Sequence, residues 1–144
     1  MKIRAFEKSD IEQIVTLANR YASFDSDVTE ADFQPAWSFP NGLLVAHIEN
    51  QIIGFVFAYL QEIPSAILTR WASSKVAQIE LLVVEPSYRG QRIGKALLER
   101  LFEAFKKEGV DLVLLYCPAE AISAKYLYEE LGFEVRAFAM KKRL

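Results

Sequence analysis

Apolar positions along the chain change period several times, and each change marks an element. Met1–Glu7 alternates, with Ile3 and Ala5 on one face against Lys2, Arg4 and Phe6, which is the period of a first strand. From Ile11 the spacing lengthens. Ile11, Ile14, Val15, Ala18 and Ala22 form the stripe of an amphipathic helix, with Ser9 placed to cap it and Glu12 to reach back. Tyr21 to Val28 is polar and acidic, a loop; Thr29 then has the chemistry of a second helix cap, and Pro35 ends or bends the segment after it. Leu43–Ile48 and Ile52–Glu62 are β-rich runs joined by Glu49-Asn50-Gln51, the pattern of a hairpin. Ile63–Lys75 has no legible period and reads as a loop. Val76–Val84 is a third long strand, closed by Glu85-Pro86.

In the second half Ile93, Leu97, Leu101 and Phe105 recur every four residues, with Leu98 and Phe102 beside them. Lys95, Glu99, Arg100, Glu103 and Lys106 cover the other side, so a helix runs from about Arg92 to Lys107 and Gly109 caps it. Val110–Tyr116 is apolar apart from Asp111, as expected of a strand buried on both faces. Glu120–Leu131 reads as a helix stopped by Gly132, and Phe133–Lys142 as a closing strand. The order is β-α-α-β-β-β-α-β-α-β. Strands 76–84 and 110–116 flank a helix and are therefore parallel, while the earlier strands are joined by short turns and are antiparallel. The predicted class is α/β (α+β), a mixed sheet with helices on both faces.

Composition narrows the classes. A chain of 144 residues with 52% hydrophobic and 25% charged residues suits a single domain, 1–144, with one sizeable core. Seventeen basic against nineteen acidic side chains leave a net charge of −2, which argues against a nucleic-acid or anionic membrane partner. The longest uncharged apolar run, Ile52–Leu60, is far short of the ~20 residues of a membrane span. The charged start Met1–Glu7 lacks a signal-peptide core, so the expected location is cytoplasmic. The single cysteine, Cys117, excludes an internal disulfide and a multi-cysteine zinc site, and no metal site is expected.

The candidate chemistry lies in Val83-Val84-Glu85-Pro86-Ser87-Tyr88-Arg89-Gly90-Gln91-Arg92-Ile93-Gly94-Lys95-Ala96, a strand end, a glycine-containing turn and a helix start. Helix N-termini expose unpaired N–H groups and about half a positive charge. Gly90 and Gly94 let backbone come close to a ligand, and Arg89, Arg92 and Lys95 add charge, so a phosphate or diphosphate is favoured. The spacing fits neither a P-loop nor a dinucleotide fingerprint. On the residues alone, an ordinary basic turn before a helix serves equally well.

This segment resembles the acyl-CoA-binding motif of the GCN5-related N-acetyltransferase (GNAT) superfamily, R/Q-x-x-G-x-G/A. Arg89 and Gly94 match, while Arg92 stands where the first motif glycine is usual. Asn41–Leu60, with Ile53-Gly54-Phe55, is similar to the family's second and third strands, and Ala124–Phe133 to its last helix, A-x-x-L/F-Y-x-x-L-G-F. The resemblance covers nearly the whole chain. It implies an acyl-CoA N-acyltransferase fold with a V-shaped splay between strands 76–84 and 110–116. It further implies acetyl-CoA as cosubstrate, its pantetheine arm along the backbone of Leu82, Val83 and Val84 and its diphosphate on the N–H groups of Arg89, Gly90, Gln91, Arg92, Ile93, Gly94 and Lys95.

Tyr128 matches the tyrosine that gives the departing CoA thiolate a proton, a role that a phenol near pKa 10 can fill for a thiolate of about 8.5. The family's CoA-contacting asparagine is replaced by Ala121, with Ser123 as a substitute. Glu80 is the candidate base for the protonated amine, although on strict alternation it shares with Gln78 a face expected to be solvated. His47 and Cys117 read as structural. The function implied is direct acetyl transfer to a primary amine, of a small molecule or of a protein or peptide, in a ternary complex. The alternative is a weak or inactive acetyl-CoA-binding sensor of the same fold. The acceptor side is assigned to Tyr21–Val28 with Asp25 and Asp27, to Glu62–Lys75 with Glu62, Arg70 and Trp71, and to Trp37. Homodimers are common in the family, so a second copy is a further partner implied by the resemblance.

Overall fold

The computed structural model describes residues 1–22 and 27–144. Among them β1 (Lys2–Ala5), β2 (Leu43–Ile48), β3 (Gln51–Gln61), β4 (Val76–Val84) and β5 (Leu112–Leu115) form one sheet in chain order. β1 to β4 are antiparallel and β5 is parallel to β4, as tight turns and one helical crossover dictate. The helices are α1 (Ile11–Tyr21), α2 (Pro35–Ser38), α3 (Ser65–Trp71), α4 (Ile93–Glu108) and α5 (Ile122–Glu130). The mixed sheet with helices and the parallel β4–β5 pair are as the sequence predicts.

The sheet has an apolar core on each face. On one, Ile11, Ile14, Leu17 and Ala18 of α1 and Phe33 and Ala36 meet Leu43, Val45, Phe55, Phe57, Leu81 and Val83. On the other, Ile93, Leu97, Leu98, Leu101 and Phe105 of α4 meet Leu44, Ala46, Val56, Ala58, Ala77 and Ile79. The four-residue stripe of α4 is the buried face that its spacing predicts. Each such side chain contributes roughly 1.5–3 kcal/mol on burial.

β4 changes face in its middle. Ala77 and Ile79 point to the α4 core, yet Leu81 and Val83 point to the α1 core, which strict alternation forbids. The register shows why. Phe57 pairs with Leu81 and Ala58 with Ile79, so Glu80 has no partner and forms a β-bulge. The ladder to β5 stops at the same place, with Ile79–Leu115 its last pair. β4 runs on to Val84 paired only with β3, and this is the splay the resemblance implies.

Several elements differ from the sequence reading. The capping box is Glu7-x-x-Asp10, not Ser9 and Glu12, because Asp10 alone is placed to accept both the Glu7 N–H at 2.7 Å and the Arg4 guanidinium. Thr29 caps a short 3-10 turn as expected, but Pro35 opens α2 rather than ending a helix. The stretch read as a loop holds α3, whose side chains are not buried and so leave no hydrophobic stripe. β5 is half-buried at every position rather than buried on both faces, since β4 is its one neighbour among the described residues. Phe133–Lys142 is not a strand: Gly132 turns the chain at φ 94°, Phe133 packs on Phe102 and Tyr128, and the rest pairs with no strand among the described residues. No described helix is long and apolar enough to cross a membrane.

Asp10, 6% exposed, ties β1 to α1 through a two-pronged ion pair with Arg4 at 2.7 and 3.1 Å. Burial pushes its carboxyl up, but the hydrogen bonds from Arg4 and from the Glu7 N–H, with the charge of Arg4, outweigh this and hold it below the usual carboxylate range. The resulting stability is present above the ordinary Asp value of about 4 and is lost as pH falls through the lower folded value. Asp10→Asn should therefore cost about 1–3 kcal/mol in urea unfolding at neutral pH. The gap to the parent protein should shrink near pH 3; an equal gap at both pH values would refute the ion-pair account.

Candidate active site

Beyond Ile79 the edge of β4 that would face β5 carries no ladder among the described residues. Leu82 and Val84 on this stretch are half-buried and Val83 is buried, so the backbone expected to hold a pantetheine arm lies at an open seam between two diverging strands. α5 closes the seam on the α4 side, where Leu127 and Tyr128 join Leu82 and Val84 in one apolar cluster.

The turn after β4 is built around two left-handed residues. Gly90 has φ 79°, and Arg92, the N-cap of α4, has φ 62° and ψ 22°. A glycine takes that conformation freely and an arginine at some cost, so the backbone keeps the path of a glycine motif although the side chain departs from it. In consequence no backbone N–H from Gly90 to Lys95 donates to a described residue, the first return bond of the helix being Ala96 N–H to Arg92 O at 3.1 Å. Six consecutive unsatisfied donors at a helix start make an anion cradle.

The side chains of the turn are arranged differently from expectation. The open side of Gly94 faces the protein, where a Cβ would make ordinary contacts with Leu127 at 3.4 Å and Leu82 at 3.7 Å, while its N–H stays in the row of free donors. Arg89 Nε donates to the Val84 carbonyl at 3.2 Å. Arg92 donates to Glu130 Oε1 at 2.7 Å and Lys95 to the same oxygen at 3.3 Å. Hydrogen bonds from Arg92 and then Lys95 hold the Glu130 carboxyl below its usual range. Sequence reasoning misses Glu130 because its partners lie 38 and 35 positions away.

Tyr128 projects from α5 with its ring edge-on to Phe133 at 5.7 Å. Burial, and then the neighbouring Cys117, push its hydroxyl up to about 12. A phenol that weakly acidic keeps its proton throughout the working pH range and acts as a fixed hydrogen-bond donor. Cys117 lies close by with its thiol also raised, chiefly by burial, so it stays protonated. Ser123 is exposed on the first turn of α5. His47 is remote from this group, its Nδ1 2.9 Å from the Glu49 carbonyl in the β2–β3 turn.

On the opposite side of the seam the bulge turns Glu80 toward a cavity of about 170 Å³. Phe33, Phe57 and Leu81 supply apolar walls, and Asp32, Tyr59 and Glu80 supply the polar ones. Gln78, whose face was expected to be solvated, is buried, and Glu80 is exposed only because the bulge lifts it. Tyr59 is held above the ordinary phenol value by burial and then by the Glu80 carboxylate, with a smaller part from Tyr116. Sequence reasoning misses Tyr59 and Asp32 as well, since the bulge that assembles them has no sequence signature. Of the expected acceptor residues, Asp25 lies outside the described residues. Trp37 packs tilted against Phe6, with ring centroids 5.3 Å apart, and does not line the cavity, whereas Val28 does.

The model of the Acetyltransferase (GNAT) family matches residues 10–133 of this chain. An uncharacterized N-acetyltransferase of Methanocaldococcus jannaschii is 29% identical over 92% of the chain and 60% of its own length. A mycothiol acetyltransferase of Brachybacterium faecium is 32% identical over 76% of the chain and 31% of its own length. The chain therefore spans less than two thirds of either relative. Among solved structures, a Bacillus halodurans protein shares the fold over the full chain and 99% of its own, with a TM-score of 0.82 at 23% identity. Arabidopsis thaliana Naa50, in complex with the bisubstrate analogue CoA-Ac-MVNAL, gives 0.76 at 17% identity over 94% of this chain and 84% of its own.

The left-handed backbone at Arg92 makes a stability order. A β-branched residue there meets its own backbone, so Arg92→Val should be at least ~1 kcal/mol less stable than Arg92→Gly, with the parent between them. Thermal unfolding of the three proteins checks this, and a valine variant as stable as the glycine one would mean that the turn has another shape.

Proposed function

The chain belongs to the acetyltransferase (GNAT) family, and from that membership we propose that it transfers acetyl from acetyl-CoA directly to a primary amine. The observation that carries this reading is the arrangement around the seam: free backbone N–H groups at one end, a protonated phenol on one flank and a carboxylate-bearing cavity on the other. The six donors of Gly90–Lys95 take the diphosphate, with Arg89, Arg92 and Lys95 within the same turn. The open edge of Leu82, Val83 and Val84 takes the pantetheine arm as an added strand. Ser123, exposed beside that path, supplies the polar group that the Ala121 side chain lacks.

The amine enters from the cavity side. Glu80 holds the ammonium and receives its proton, with the Tyr59 hydroxyl alongside to keep the carboxylate oriented. The freed nitrogen attacks the thioester carbonyl, the carbon–sulfur bond breaks as the Tyr128 hydroxyl hydrogen-bonds the leaving sulfur, and the proton that the nitrogen sheds in becoming an amide reaches the sulfur through that hydroxyl, which ends protonated. No covalent enzyme intermediate is needed, which agrees with a Cys117 thiol that stays protonated. The acceptor is a small-molecule or peptide amine, and a second copy of the chain is the other partner.

CoA-thiol release from acetyl-CoA, measured over a panel of small amines and amino-terminal peptides, tests the reading. Tyr128→Phe should lower kcat by about tenfold or more with acetyl-CoA affinity unchanged. Since the phenol holds its proton to about pH 12, the parent protein should show no decline in kcat between about pH 8 and 10 that the phenylalanine variant lacks. Unchanged kcat in the variant would remove Tyr128 from the chemistry. Glu80→Gln should lower kcat/KM for the amine by about 10–100-fold at neutral pH, and by less near pH 9.5, where more of the amine is already neutral. An equal loss at both would make Glu80 a binding group rather than a proton acceptor.

A further inference from the structure

Two side-chain amides lie beyond the Glu80 cavity with nothing to bind. Gln61, at the end of β3, has its Oε1 buried and without a hydrogen-bond partner. Gln78 is 4% exposed. The side-chain bonds at this end of the sheet run from Thr69 to Ser65, from Ser73 to Trp71, and from Ser74 and Lys75 to Asp111; among the described residues none reaches either amide. Burying an amide without a partner is costly, and native proteins rarely keep one unless a ligand or an ordered water meets it.

The register sets the two amides side by side. Across the antiparallel ladder Gln78 pairs with Tyr59, and Gln61 with Val76. Paired residues share a face and so do alternate ones. Tyr59, Gln61 and Gln78 therefore point to the α1 side of the sheet, away from Ala77 and Ile79 in the α4 core. Tyr59 and Glu80 both line the cavity. Gln78 thus stands directly across from one wall of it, two residues or about 7 Å before Glu80 on β4. Gln61 stands one alternation further out.

These groups form a row with an order. A carboxylate comes first, and then two neutral amides, each able to donate and to accept. The cavity walls carry Asp32 and Glu80 and, among the described residues, no lysine, arginine or histidine. An ammonium followed by a neutral hydrogen-bonding group matches that row. A free carboxylate next to the amine would be repelled by the two acids, and a second ammonium would find no charge at the amides.

Given the proposed acetyl transfer, on which this rests, we propose that Gln61 and Gln78 are specificity-determining residues that bind the neutral amides following the acceptor nitrogen. The preferred acceptor is then a peptidyl amine, with its nitrogen on Glu80, its first amide on Gln78 and the next on Gln61. Polar groups held ready in this way discriminate strongly, because an acceptor that lacks the matching group leaves them unpaired.

The test is CoA-thiol release with alanyl-alanine amide, propylamine and butanediamine, each rate expressed per neutral amine so that differences in their pKa cancel. The parent protein should favour the dipeptide amide over propylamine by about tenfold or more in kcat/KM. Gln78→Leu should shrink that ratio by about fivefold or more, through KM rather than kcat, and Gln61→Leu should shrink it by less. Both variants should melt no lower than the parent, since leucine removes an amide that had no partner to lose. A ratio unchanged in both variants overturns the proposal: the amides would then bind only water or, if the melting temperature falls, serve the fold. Equal use of the dipeptide amide and propylamine by the parent overturns it too, as does a preference for the diamine, which would give the row to a second cation. No thiol release with any amine would instead remove the acetyl-transfer reading, and this inference with it.

Discussion

One surplus residue in β4 governs most of what surrounds it. With Glu80 unpaired, Leu81 and Val83 drop into the α1 core while Ala77 and Ile79 remain in the α4 core, so one strand serves both faces of the sheet. The same kink separates β4 from β5 after Ile79 and opens the seam. It also lifts a carboxylate out of a strand whose neighbouring residues are buried. A bulge usually costs sheet regularity. Here it places a binding seam, a core switch and a polar group within one step of the chain.

The second constraint is the path of the turn between β4 and α4. Two left-handed residues in three positions keep the chain from starting the helix early, and that is what leaves six N–H groups unspent. Gly90 makes its turn without strain, and Arg92 makes its own with strain. The strained one is also the one whose side chain reaches α5.

Much of this was legible in the sequence because it rests on local periodicity. The four-step stripe of α4, the hairpin of β2 and β3 and the parallel crossover depend on spacing alone, and Tyr128 and the Gly90–Lys95 turn came from motif order. What was not legible depends on contacts across distance. The Arg4–Asp10 pair moves the helix cap, and the packing of Leu127 beside Gly94 joins two helices far apart in the chain. The short helix α3 buries nothing and so leaves no stripe. Tyr59 and Asp32 enter the site only through the bulge. The last segment alternates as a strand should, but a strand exists only once it is paired.

Glu130 gives the cradle a character that an empty pocket would lack. Its carboxylate offsets one of the two charges of Arg92 and Lys95, so in the proposed reaction a diphosphate meets an internal rival anion beside the remaining positive charge. Loading then becomes an exchange of counter-ions, in which the two cations swing from α5 to the ligand or share themselves between both. Nonspecific polyanions gain less at such a site than at two unpaired cations, because they bring charge without the geometry to use the backbone donors. Selection thereby shifts from attraction to shape, and it is enforced by a residue that never needs to touch the ligand.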